Sequence, residues 1–83
     1  MQICSIYKGS RKPGAYLYIE RRGDFSRLPA ELLRMLGSLE LVMDLDLGAG
    51  KRLVGADIIE VQQQLSHSGY YLQLPPRDYH PQR

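Results

Sequence analysis

The stretch Leu39-Glu40-Leu41-Val42-Met43-Asp44-Leu45-Asp46-Leu47 decides the fold class. Leu39, Leu41, Met43, Leu45 and Leu47 fall at every second position, with Glu40, Val42, Asp44 and Asp46 between them. Successive strand side chains point to opposite sides, so this alternation predicts a strand with one apolar face. Its other face would carry Glu40, Asp44 and Asp46 together. Three carboxylates at alternate positions can hold a divalent cation or do acid–base work, but they more commonly mark the solvated side of a strand.

Upstream of this strand, Leu28, Leu32, Leu33 and Leu36 recur at helical spacing and Gly37 supplies a stop. Pro29 suits the first turn of that helix, Glu31 favours its dipole, and Asp24 or Ser26 can accept from its free amides. Before it lie two strand-like runs, Gln2–Lys8 and Ala15–Glu20, joined by the polar turn Gly9-Ser10-Arg11-Lys12-Pro13-Gly14. They read as a β-hairpin with a basic tip.

Downstream, Gly48-Ala49-Gly50-Lys51-Arg52 reads as a loop. Asp57, with Glu60 three residues on, forms a capping box for a second helix whose inward stripe is Ile58, Val61 and Leu65. Gly69 ends this helix. Tyr70-Tyr71-Leu72-Gln73-Leu74 is a last strand that Pro75-Pro76 cannot extend.

The expectation is therefore an α+β or α/β two-layer sandwich of order β-β-α-β-α-β. It has a four-stranded mixed sheet, two helices on one face and an open second face. The domain covers residues 1–76, and residues 77–83 form a polar tail.

Composition agrees with one small globular domain. The chain has 83 residues, 43% hydrophobic and 24% charged, with a mean hydropathy of −0.33. The net charge of +2, with both signs interspersed, excludes a polybasic arm. Cys4 is the single cysteine, which excludes an intrachain disulfide and any multi-cysteine zinc site. The Met1–Ile6 segment shows no export signal, and no apolar run approaches the length of a membrane span. A cytoplasmic protein with no bound metal or cofactor is expected.

Nucleophile elbows, dinucleotide fingerprints and paired metal-binding histidines are missing from the sequence. Gly48-Ala49-Gly50-Lys51 superficially resembles a phosphate loop but lacks its spacing and its following hydroxyl residue. Cys4 lies among isoleucines with no base beside it, and neither His67 nor His80 is placed like a triad base. No catalytic residue is assigned, and an enzyme is the lesser expectation.

Six of the seven aromatic residues are tyrosine. Tyr16 and Tyr18 share one side of their strand, and Tyr7, Tyr71 and Gln73 can join them on the open sheet face. Lys8, Arg11, Lys12, Arg21 and Arg22 would fringe that face. Two readings follow. A protein-binding or adaptor module would use the aromatic face and charged rim against an unidentified protein partner. The alternative is a single-stranded RNA or other nucleic acid, with bases stacked on tyrosines and phosphates paired with the basic rim. Oligomeric state is not readable.

Four blocks carry a resemblance. They are Asp24-Phe25-Ser26-Arg27-Leu28-Pro29, Lys51-Arg52-Leu53-Val54, Ala56-Asp57-Ile58 and Gly69-Tyr70-Tyr71-Leu72-Gln73-Leu74-Pro75-Pro76. Together the chain resembles the YcgL-domain family of small uncharacterised gammaproteobacterial proteins, from the first strand through Pro76. The resemblance implies a compact α/β domain and brings no activity, cofactor or site residue with it.

Overall fold

A computed structural model describes residues 3–49 and 57–75. The hairpin is β1 (Ile3–Gly9) and β2 (Tyr16–Ile19), followed by helix α1 (Ala30–Leu36) and strand β3 (Leu39–Asp46). A 3-10 turn over Leu47–Ala49, helix α2 (Ile58–Ser68) and strand β4 (Tyr70–Gln73) complete the described chain.

The sheet order is β3-β1-β2-β4, and every pairing is antiparallel. The expected mixed sheet is thus corrected. From these pairings β2 and β3 run the same way, but β1 lies between them and keeps them apart. The strands at both edges, β3 and β4, belong to different connections.

The two-layer expectation is also corrected. Cys4, Ile6, Tyr18 and Leu45 form one buried cluster with Val61 and Leu65 of α2. Tyr7, Leu17 and Ile19 form a second with Leu28 and Leu36, and Phe25, Leu32, Leu33 and Leu72 pack against it. Adjacent residues of β1 and β2 feed different clusters, so the sheet is buried on both faces, with one helix on each. Leu17 and Ile19 are essentially inaccessible below α1, while Tyr16 and Tyr18 turn towards α2.

Strand β3 departs from its sequence pattern for a geometric reason. Met43 pairs with Ile6 and Leu41 with Tyr7, which leaves Val42 as an extra residue in a β-bulge. Because strand side chains alternate, one inserted residue exchanges the faces. Leu39 and Leu41 therefore share the face of Tyr7, whereas Met43 and Leu45 share that of Cys4 and Ile6. The single apolar face read over residues 39–47 is divided between the two sides of the sheet.

Helix ends differ in how they are capped. Asp57 accepts from the Ile59 amide at 2.9 Å and starts α2 as its sequence position indicates. Pro29 precedes α1 without a side-chain cap. The expected caps Asp24 and Ser26 instead bond to each other, Asp24 accepting from both the amide and the hydroxyl of Ser26. The Gly50–Ala56 connection and the 77–83 tail lie outside the described residues. No described helix is long and apolar enough to cross a membrane.

Candidate functional site

The tyrosines come together in part, and the sheet face that carries them is covered. Tyr18 pairs with Tyr71 and Tyr16 with Gln73 across β2 and β4, which places all four on one face. That face is the one under α2. Tyr18 is only 4% exposed, and its hydroxyl donates to Gln73 Oε1 at 2.6 Å. The Tyr18 and Tyr71 rings meet edge to face at 5.6 Å. Burial pushes the Tyr18 phenol up from its ordinary range. Tyr71 moves the same way, chiefly through burial and then through the negative charges of Glu60 and Asp57.

Tyr7 lies on the opposite face. It is buried, packs edge to face on Phe25 at 5.0 Å, and accepts the Gly23 amide through its hydroxyl at 2.9 Å. The open aromatic face expected from the sequence is therefore corrected: Tyr18 is buried in the α2 cluster, Tyr16 and Tyr71 pack half-buried against it, and the α1 side buries Tyr7. These rings contribute packing, with a satisfied hydroxyl on both Tyr7 and Tyr18.

The five basic positions are also dispersed. Lys8 faces Glu40 at 3.8 Å on the α2 side of β1 and β3. Arg22 reaches Asp44, whose other carboxylate oxygen accepts from the buried Ser5 hydroxyl at 2.6 Å. These two donors, Arg22 first, hold the Asp44 carboxyl below its usual range. Arg21 lines a small cleft with Glu20, Asp24, Arg27 and Gly69. Arg11 folds back over the end of α1 and donates to the Arg34 carbonyl at 3.3 Å. Lys12 stands at the exposed hairpin tip.

The carboxylate trio is separated by the bulge. Glu40 pairs with Lys8 on the α2 side, while Asp44 and Asp46 pair with Ser5 and Ile3 on the other. Asp44 is committed to Arg22 and Ser5, and Asp46 accepts the Gly48 amide. Among the described residues no group of His, Cys, Asp and Glu is arranged to hold a metal ion. Cys4 is wholly buried, and burial together with the Asp44 charge pushes its thiol up to about 11. A thiol so protonated is a poor nucleophile.

What the tyrosines lose as a surface, β3 gains. Leu41, Val42 and Met43 are 38%, 45% and 46% exposed. Three consecutive large apolar residues at the edge of a sheet depart from the usual blunting of such edges by charge. Periodicity could not find them, because it assigned Leu41 and Met43 to a buried face.

A family model for the YcgL domain matches residues 4–76. The chain belongs to the YcgL domain family. A YcgL domain-containing protein of Shewanella loihica is 50% identical over 74 residues, covering 89% of this chain and 80% of the relative. Protein YcgL of Escherichia coli K12 is 51% identical over 74 residues, 89% of this chain and 68% of the relative. A Klebsiella pneumoniae YcgL domain-containing protein is 49% identical over the same shares as the Shewanella one. In this YcgL domain the matched span takes in both core clusters, β2, β3, β4 and all of β1 but Ile3. Two of the blocks that carried the resemblance meet in space: Arg27 of the first lies against Gly69 of the last.

Proposed function

We propose that this YcgL domain is a cytoplasmic, non-enzymatic protein-binding module that takes an extended segment of a partner protein along the outer edge of β3. The observation that carries this reading is the exposed run Leu41-Val42-Met43 on a strand that, among the described residues, pairs with β1 alone. An added strand gains main-chain hydrogen bonds from such an edge and specificity from side chains on alternate faces.

Charge argues for a different protein over a second copy. β3 carries Glu40, Asp44 and Asp46 and no cation, so two such edges side by side would bring six carboxylates together. Glu40 remains largely exposed beside Lys8, which favours a partner segment with Lys or Arg between its apolar residues. The stacking of single-stranded RNA on tyrosines has no corresponding observation, since α2 occupies that face.

Hydrogen exchange of the full chain, followed by amide NMR, tests this reading. The β3 amides that do not bond to β1 are expected to exchange fast in the free protein. They should become protected when a blocked peptide of alternating valine and lysine is added, and Val42→Lys should abolish the effect. Slow exchange of those amides in the free monomer, or their indifference to millimolar peptide, would sink the reading.

A further inference from the structure

The tip of the β1–β2 hairpin and the end of α1 enclose an open hollow of about 570 Å³, lined by Ser10, Arg11, Leu33, Arg34, Gly37 and Ser38. We propose that this hollow is an anion site that takes a phosphate monoester group between the Arg11 and Arg34 side chains. The proposal is independent of the β3 edge.

Charge is the first support. The lining contains two arginines and no carboxylate, and among the described residues neither arginine has an acidic partner. Two guanidinium groups match the double charge of a phosphate monoester, and their planar forks suit its oxygens. Ser10 and Ser38 add hydroxyls. The Ser10 oxygen accepts the Ser38 amide at 3.1 Å, which leaves its own proton to donate.

Rigidity is the second support. The Ser10 amide donates to the Ser38 carbonyl at 2.9 Å, and the Arg11 amide donates to the Leu36 carbonyl at 3.0 Å. The Arg11 stem lies across Gly37, whose φ of 77° and close neighbours leave no room for a side chain. The head of Arg11 is then held by the Arg34 carbonyl, which uses one of its five N–H donors. An arginine fixed in this way loses little further freedom when an anion arrives.

The helix end would ordinarily repel an anion, because its free carbonyls carry partial negative charge. Here three of the last four are engaged. Leu33 accepts the Gly37 amide, Arg34 accepts the Arg11 side chain, and Leu36 accepts the Arg11 amide. The contacts that immobilise Arg11 thus also mask the negative end of α1.

Amide NMR titrations of the full chain with inorganic phosphate and with O-phosphoserine, at constant ionic strength, test the proposal. Saturable shifts centred on Ser10, Arg11, Gly37 and Ser38 are expected from at least one of the two. A response to phosphoserine alone identifies an ester-reading site, and equal responses identify a free-phosphate site. Arg34→Gln should weaken binding by about tenfold or more, with Arg21→Gln as an unaffected control. Arg34 is the decisive variant because its side chain bonds to no other described residue, whereas Arg11→Gln also removes the side-chain donor to the Arg34 carbonyl. Three results would overturn the proposal: no saturation up to about 20 mM of either probe, equal binding of acetate, or undiminished binding in Arg34→Gln.

Discussion

The guanidinium of Arg27 lies across Gly69, in the space a β-carbon at residue 69 would occupy. Arg27 comes from the segment between β2 and α1, and Gly69 is the left-handed residue, φ 89°, that closes α2 just before β4. Glu20 holds the Arg27 head at 3.1 Å. Through this contact the α1 side of the sheet is joined to the end of the helix on the other side. Gly69→Ala would put a side chain into a backbone conformation that favours glycine and would displace Arg27. A loss of about 1–2 kcal/mol is expected in urea denaturation. Unchanged stability would show that the chain closes α2 in another way.

Replacing the tyrosines separates packing from recognition. Tyr18→Phe removes the hydroxyl bond to Gln73 and keeps the ring on Tyr71, for a loss of about 1 kcal/mol. Tyr18→Ala removes the ring from the α2 cluster as well, and about 3–5 kcal/mol is expected from chemical denaturation. Neither phenylalanine at position 18 nor phenylalanine at position 16 should alter β3-edge binding. A binding defect in a stably folded Tyr18→Phe protein would contradict the covered-face arrangement.

Asp44 sets part of the acid limit of the fold. Its carboxyl is depressed in the native state by Arg22 and Ser5, so the unfolded chain takes up the proton first as pH falls. The corresponding stability is present above the unfolded carboxyl value of about 4 and is lost as pH drops through the lower folded value. Asp24, held down by Ser26, acts in the same direction. Asp44→Asn should therefore lower the melting temperature at pH 7 and flatten its decline below pH 4. Parallel acid limbs for the two proteins would assign the decline to other carboxyls.

Cys4 provides a reporter of global opening. With its thiol inaccessible and pushed up to about 11, it should resist iodoacetamide at pH 8 for as long as the protein stays folded. Alkylation followed by mass spectrometry should rise in step with denaturant-induced unfolding. Rapid labelling of the native protein would place Cys4 in a segment that opens locally.

The local elements of this YcgL domain were legible because they rest on contacts close in sequence. Asp57 and Gly69 bound α2, and Val61 and Leu65 mark its buried stripe without help from the rest of the molecule. The same alternation that placed Tyr16 and Tyr18 opposite Leu17 and Ile19 is a property of any strand. It could say that the two pairs face different ways. Which of them meets solvent was decided elsewhere.

Tertiary structure made that decision by placing α1 and α2 on opposite faces, so neither side of β1 and β2 stayed open. It also set the Val42 bulge, which depends on how β3 aligns with β1 and is invisible in the alternation of residues 39–47. One unmatched residue moved Met43 and Leu45 to the α2 side, parted Glu40 from Asp44, and left an apolar run on the sheet edge. Arg11 shows the same division: its charge at a hairpin tip was readable, but its approach to Arg34 requires the hairpin to dock on α1. Sequence determined the segments and their two-sidedness through local sterics and periodicity. Pairing register and layer order, set by contacts between distant residues, determined which surfaces remain available for function.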